Sequence, residues 1–288
     1  MAVAGTSGNA QPEPGPILTP LRYSFTSSEF DRTPPGRVSL EDRRFHSVQR
    51  LLSKEGLARL ARARVCVIGM GGVGSWAVEA LARSGVGTLR LVDLDEICVS
   101  NVNRQVHAIE DQVGKSKVQA MAQRVFSIHS NAKVEALEMF YASETEESIL
   151  EGGVQAVVDA IDSVPNKCRL ARACLRRNIP LVISGGAGGR TDPARIRLGT
   201  LAEASHDRLL AGVRRRLRLE CTAEEHEKLL RLPSVYSVEP VLAPAGELCD
   251  TGAAGRNCES GYGSLVTVTG AYGFMAAAWV IRRLAEVR

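Results

Sequence analysis

No two of the seven cysteines stand in CxxC spacing; they fall at positions 66, 98, 168, 174, 221, 249 and 258. A structural zinc held by paired CxxC motifs is therefore not expected. Scattered cysteines without a framework fit a reducing compartment, which makes the expected location cytoplasmic. Residues 1–39 lack the apolar core of a signal peptide, and acidic Glu13, Glu29 and Asp31 argue against a transit peptide. This stretch is rich in Gly, Ser, Thr and Pro, with Pro12, Pro14, Pro16, Pro20, Pro34 and Pro35, and is expected to be a disordered tail. No internal repeat is evident. Long apolar runs are scarce too. Leu265–Ile281 (LVTVTGAYGFMAAAWVI) carries no charge over 17 residues, but a spanning helix wants ~20 apolar residues. Its Ala, Gly and Thr content makes it weakly hydrophobic. We read 265–285 as a C-terminal apolar helix, buried or facing a second copy; membrane association through 265–281 is the lesser alternative.

What is present fits a globular chain that buries a large core. The 288 residues are 44% hydrophobic and 24% charged, with a net charge of +4. Strand-like runs at Val65–Ile68, Leu89–Val92, Val134–Met139, Val154–Val158 and Leu181–Ser184 alternate with helix-like Lys115–Ser127 and Asn166–Arg177. Such alternation predicts an α/β fold with a Rossmann-like, doubly wound, mostly parallel sheet. Glu41–Ala61 reads as one or two helices. Glu203–Leu232 reads as a helical insertion or lid, with Leu209, Leu210, Val213 and Leu217 as a partial apolar stripe. Val235–Leu242 is expected to be a strand of a smaller antiparallel C-terminal half. The main domain is thus 40–288, with the insertion at 203–232.

The chemistry concentrates after the first strand. Gly69-Met70-Gly71-Gly72-Val73-Gly74 is a glycine turn that leads into a helix, and the next strand ends at Asp93 and Asp95. Glycines let backbone approach a phosphate, and the helix N-terminus presents unpaired N–H groups to its charge. Asp93 is placed to reach a ribose hydroxyl. A nicotinamide site needs little more than this. Here the chain continues with Ser100-Asn101-Val102-Asn103-Arg104-Gln105 and Gly114-Lys115-Ser116-Lys117, and a second acidic pair, Asp159 and Asp162, ends a later strand. Arginine forks onto phosphate oxygens and lysine acts on them as a point charge. Mg²⁺ binds through one or two carboxylates plus phosphates. The set suits ATP with Mg²⁺ better than a dinucleotide.

These motifs resemble the ubiquitin-activating-type adenylyltransferase superfamily. Within it, Gly69–Ala82 (GMGGVGSWAVEALA), Asn101–Ala108 (NVNRQVHA), Asp159–Ser163 (DAIDS), Gly185–Gly189 (GGAGG) and Cys258–Gly263 (CESGYG) are similar to the bacterial tRNA threonylcarbamoyladenosine dehydratases. The resemblance implies an enzyme that adenylates a carboxylate with ATP. It makes Asp93 the ribose ligand. Asn101, Arg104, Gln105 and Lys117 become phosphate and acyl-site ligands, and Asp162 the metal ligand, with Asp159 bonding the glycine loop. Arg104, Lys117 and Asp162 are the expected catalytic set; Gly69, Gly71, Gly72, Gly74 and Asp95 complete the ATP site. Gly185, Gly186, Gly188 and Gly189 are the expected substrate loop. The resemblance also implies a homodimer, with an N-terminal arginine finger, Arg44 or Arg50, reaching ATP across the two-fold. It implies tRNA as partner and leaves room for a cysteine desulfurase system.

Two arginine clusters, Arg172, Arg176 and Arg177, and Arg214, Arg215, Arg216 and Arg218, offer phosphate contacts; a solvated helix face is the plainer reading of each. Arg214, Arg215 and Arg216 are the expected tRNA contact. His46 and His107 are read as neutral structural histidines rather than bases. Ser234 stands where the dehydratases can show cysteine, which argues against thioester chemistry there. The alternative function is adenylylation of a ubiquitin-like sulfur carrier. A nicotinamide oxidoreductase is the rival from another class.

Overall fold

A computed structural model describes residues 21–25, 41–243 and 262–286. Eight strands form one sheet: β1 (Leu21–Phe25), β2 (Arg64–Ile68), β3 (Thr88–Val92), β4 (Lys133–Glu138), β5 (Ala156–Asp159), β6 (Leu181–Ser184), β7 (Ile196–Thr200) and β8 (Pro233–Ser237). Their order is β1-β4-β3-β2-β5-β6-β8-β7. The six inner strands run parallel, while β1 pairs antiparallel with β4 and β7 with β8 at the two edges. The mostly parallel, doubly wound sheet expected from the alternation is present. Its antiparallel part is confined to these edges, because β8 continues the same sheet parallel to β6.

Both faces of the sheet are covered, which explains strands that read as continuous apolar runs. Side chains alternate between two cores, as the two-residue strand period requires. Val65 and Val67 of β2 join one core, with residues of α3 (Gly74–Arg83), α4 (Lys117–Ile128) and α9 (Val266–Ala285). Cys66 and Ile68 join the other, with α6 (Val164–Arg177), α7 (Arg208–Glu220) and Leu229 of α8 (Ala223–Leu230). A short α5 (Glu146–Leu150) supports this second face. At the N-terminal end, α1 (Glu41–Arg44) and α2 (His46–Arg62) follow one another, with a kink at Ser53.

Three segments differ from expectation or sharpen it. Leu21–Phe25, assigned by composition to the tail, pairs with Val134–Glu138 and carries an Arg22–Glu151 ion pair (3.4 Å). The rest of residues 1–39 lies outside the described residues. The 203–232 segment is a regular part of the covering layer: Leu210, Val213 and Leu217 are fully buried, whereas Leu209 is only half-buried. The apolar C-terminal helix is α9. Its Gly273 lies so close to α3 that a Cβ there would stand 2.5 Å from Val73 O. Among the described residues, no helix is long and apolar enough to cross a membrane.

The chain winds from β2 through β3 to β4, then returns past β2 to β5 and β6. The order reverses between β2 and β5. In open α/β sheets, the carboxyl ends of the strands at such a switch point form the binding crevice. The Gly69–Gly74 turn follows β2 at this place, and the Ala160–Asp162 segment follows β5.

Candidate functional site

The turn after β2 is built for close approach. Gly69 has φ +94° and donates its N–H to Val92 O (2.8 Å). A Cβ at Gly74 would stand 1.7 Å from Gly69 O, so the turn closes only on glycine. Gly71 differs: a Cβ there would meet nothing within 4 Å. The space beside Gly71 is where a ligand phosphate can approach backbone.

Asp93 is tied to this turn. Its Oδ2 accepts from Met70 N (2.6 Å) and its Oδ1 from Asp95 N (2.8 Å). A carboxylate has about four lone-pair sites, so acceptor capacity remains for hydroxyls. Burial raises the Asp93 pKa above the usual carboxylate value, opposed by the charge of Lys117 and by the two N–H bonds. Lys117 begins α4 and is buried except for its reach to Asp95 Oδ2 (2.7 Å). Asp95 thus holds the Lys117 amine beside Asp93.

The polar run between β3 and α4 folds back onto the glycine turn. Asn101 is buried; its Oδ1 accepts from Cys98 N (3.1 Å), and its carbonyl accepts from the N–H groups of Arg104 and Gln105. Trp76 of α3 donates from Nε1 to Arg104 O (2.9 Å). Arg104 then lies against Gly72, where a Cβ would stand 3.3 Å from Arg104 Cγ. Arg104 Nη1 donates to Ser100 O (2.6 Å) and Asn103 Oδ1 (2.9 Å). Gln105 is buried, and its Oε1 has no protein partner, an orphaned acceptor in the expected nucleotide segment. His107 is buried with neither ring nitrogen bonded; burial, then Lys117 and Arg124, push its pKa down to about 4, so it is neutral at pH 7.

At the end of β5 the two acidic residues separate. Asp162 is exposed at the crevice. Asp159 is fully buried and turns away from the glycine turn: it pairs with Lys167 Nζ (3.0 Å), also fully buried, and accepts from Ile161 N (2.9 Å). Burial raises the Asp159 pKa and Lys167 opposes it. Among the described residues, no three His, Cys, Asp or Glu cluster as a metal site. A divalent cation at this place would have Asp162 and ligand phosphates as its ligands, a set of the kind Mg²⁺ accepts.

The Gly185–Gly189 run has its own support. Asp207 Oδ2 accepts from Gly186 N (2.9 Å), and a Cβ at Gly185 would stand 2.0 Å from that oxygen. Arg190 is buried beneath the run. It donates to Gly186 O, to Tyr272 Oη (2.9 Å) and to His206 O (2.7 Å), and lies 3.7 Å from Asp207. Lys167, Arg190, Asp207 and Tyr272 were not expected as site residues. The sequence signals are slight: Arg190 directly follows the Gly185–Gly189 run and Lys167 stands four positions past Asp159–Ser163.

Other expected residues stand apart from the crevice. Arg44 donates to Ser130 Oγ (3.3 Å) and lines a cavity of about 320 Å³ with Phe45, Arg83 and Arg124. Its neighbour Phe45 packs on Gly85, at the end of α3 opposite the glycine turn. Arg50 is exposed on the same N-terminal segment. Arg44 therefore does not reach the crevice of its own chain. Arg214 turns inward to Leu201 O (3.0 Å) and Ala204 O (2.7 Å), and Arg216 pairs with Glu220 (2.6 Å); Arg215 is exposed. Arg172 faces Glu220, and Arg176 and Arg177 face Glu146. Ser234 is fully buried in β8, its hydroxyl donated to Leu232 O (3.0 Å). Most of Cys258–Gly263 lies outside the described residues.

The sequence pattern of the ThiF family matches residues 44–288. The chain belongs to the ThiF family. It is 41% identical over 250 residues to a tRNA threonylcarbamoyladenosine dehydratase of Haemophilus influenzae, covering 86% of this chain and 95% of that one. Among solved structures, the Escherichia coli tRNA N6-threonylcarbamoyladenosine dehydratase in complex with AMP matches at TM-score 0.77 and 35% identity, over 87% of this chain and 98% of that one. The same enzyme in complex with ATP matches at TM-score 0.76 and 35% identity, with the same coverage. This bears out the resemblance read from the motifs, and it places the chain among ThiF proteins whose solved relative holds adenine nucleotide.

Proposed function

We propose that this chain catalyses ATP-dependent dehydration of threonylcarbamoyladenosine beside the anticodon of tRNA. The observation that carries this reading is the crevice at the strand-order reversal. It joins an open glycine turn, Asp93, the Asp95–Lys117 pair and Arg104 in a ThiF chain similar along most of its length to such dehydratases. Asp93 accepts ribose hydroxyls. Gly69, Gly71, Gly72 and Gly74 shape the phosphate cradle, and Asn101, Arg104, Gln105 and Lys117 line its phosphate and acyl side. Asp162 would hold Mg²⁺, which would supply neutralisation of phosphate charge. The substrate carboxylate attacks the α-phosphate of ATP and pyrophosphate leaves. An atom of the same modification then attacks the activated carbonyl, closes a ring and releases AMP, with net loss of water. Catalysis is positioning and charge neutralisation by Arg104 and Lys117. No enzyme nucleophile is needed, consistent with the buried serine at 234.

A homodimer belongs to the same reading. Arg44 lies away from its own crevice, so it serves as finger only from a second copy; Arg50, exposed on the same N-terminal segment, is the other candidate. Exposed Val102, Leu265, Val266 and Phe274 offer that copy an apolar border, because Asn103 Nδ2 bonds Ser264 O (3.1 Å) and Phe274 packs edge-on to Trp76. The Gly185–Gly189 run faces the tRNA substrate. A cysteine desulfurase system is a proposed partner with no surface assigned to it. The test is pyrophosphate release, which should require ATP, Mg²⁺ and tRNA bearing threonylcarbamoyladenosine. Release driven instead by a ubiquitin-like carrier protein would establish the sulfur-carrier reading. Tight NAD binding with none for ATP would remove both.

A further inference from the structure

The glycine run ends against an aromatic ring. A Cβ at Gly188 would stand 3.2 Å from Tyr262 Cβ, and one at Gly189 3.2 Å from Tyr262 Cδ1. Backbone hydrogen bonds clamp this arrangement: Gly189 N donates to Gly263 O (2.7 Å), and Leu242 N to Gly189 O (2.8 Å). Tyr262 is nevertheless 44% exposed. Arg208 stands beside it. Its Nη1 donates to Tyr262 Oη (2.5 Å), and its guanidinium carbon lies 5.9 Å from the ring centroid. Arg208 is positioned by the same loop, because the preceding residue, Asp207, caps α7 and accepts from Gly186 N. Arg208 is exposed, and no ion pair among the described residues uses it.

A tyrosine needed only to cover glycines has no use for half-exposure or for a cation that pairs with no carboxylate among the described residues. Single-stranded RNA loops are recognised by pairing these two groups: aromatic faces take unstacked bases, and arginines take the phosphates between them. We propose that Tyr262 and Arg208 form a nucleotide subsite at the mouth of the crevice. The Tyr262 ring stacks an unpaired base of the RNA substrate's loop, and Arg208 contacts a neighbouring phosphate. The subsite rests on the tRNA reading above and assigns to it a base-stacking residue.

The test compares an anticodon stem-loop with a fully paired two-strand RNA duplex of the same total nucleotide number and charge. Binding is measured by fluorescence anisotropy at several salt concentrations, with ATP affinity measured alongside. Stacking on one aromatic contributes on the order of 10- to 100-fold in affinity. Tyr262→Ala should lose that factor on the stem-loop and nothing on the duplex, whereas Tyr262→Phe and Tyr262→Trp retain stem-loop binding. Arg208→Gln should lower the slope of log affinity against log salt by about 0.7–0.9, the value for a single phosphate. ATP affinity stays unchanged in all four, which also reports an intact fold. Equal stem-loop binding by wild type and Tyr262→Ala, or equal loss on both RNAs, overturns the subsite alone. A wild-type protein that binds neither RNA overturns the tRNA reading and the subsite with it.

Discussion

Replacing Lys167 with Met should cost this protein several kcal/mol of stability and should do so in a pH-dependent way. Lys167 and Asp159 are both fully buried and lie 3.0 Å apart. Removing one member of such a pair leaves an uncompensated charge in the interior, a loss on the order of 3–5 kcal/mol. Asp159 Oδ2 already lacks a hydrogen-bond partner, so no neighbour is ready to take up the role of Lys167. Burial raises the Asp159 pKa and Lys167 lowers it; without the lysine the folded-state value rises further. The variant's deficit is therefore full above that raised value. It shrinks as pH falls from there toward the wild-type folded value, because the variant's folded state then holds a proton that neutralises the stranded carboxyl. Urea denaturation of wild type and variant across pH measures this. The double variant Asp159→Asn, Lys167→Met should recover most of the loss, since both charges leave together. A single-variant loss below about 1 kcal/mol, or a double variant no better than the single, would refute the reasoning.

Gly71→Ala should leave stability within about 0.5 kcal/mol yet weaken ATP binding, whereas Gly74→Ala should damage both, since its Cβ would stand 1.7 Å from Gly69 O; calorimetry with ATP and thermal melts separate the two. His107, with its pKa pushed down to about 4, contributes stability that is present above ~6.5 and lost as pH falls toward 4, on the order of 3 kcal/mol in all. His107→Gln should flatten stability curves over that range, and parallel curves would contradict this. Replacing Arg215 and Arg216 with Ser should reduce the salt slope of tRNA binding by about 0.7–0.9 for each phosphate that is no longer neutralised. Arg214→Ser should instead lower stability, because its guanidinium bonds two backbone carbonyls. An unchanged slope in the Arg215, Arg216 variant marks a solvated helix face.

The inner strands were legible because each is an apolar run buried on both faces, and the glycine turn and the polar run after β3 because their parts follow one another in the chain. Asp93 and Arg104 meet the glycine turn, and Lys117 joins them through Asp95. β7 and β1 were not legible. β7 is an edge strand with Arg197 and Leu198 exposed, and β1 sits in a proline-rich stretch. Their pairing depends on a partner strand rather than on local pattern. The support of the glycine run was hidden for a similar reason. Arg190 and Tyr272 meet across 82 positions, and Gly186 and Asp207 across 21. Charge clusters misled in one respect: arginines at consecutive helical positions point in different directions, so Arg214 faces inward while Arg215 faces solvent.

The central claim is that the crevice beside Asp93 and Lys117 activates a carboxylate on tRNA. Its most direct test is mass spectrometry of nucleosides from tRNA incubated with this protein, ATP and Mg²⁺. The account predicts that threonylcarbamoyladenosine is converted to a species lighter by one water, with AMP and pyrophosphate formed in equal amounts, and that Asp162→Ala slows this on the order of 100–1,000-fold. Unchanged threonylcarbamoyladenosine in the presence of bound ATP would contradict it.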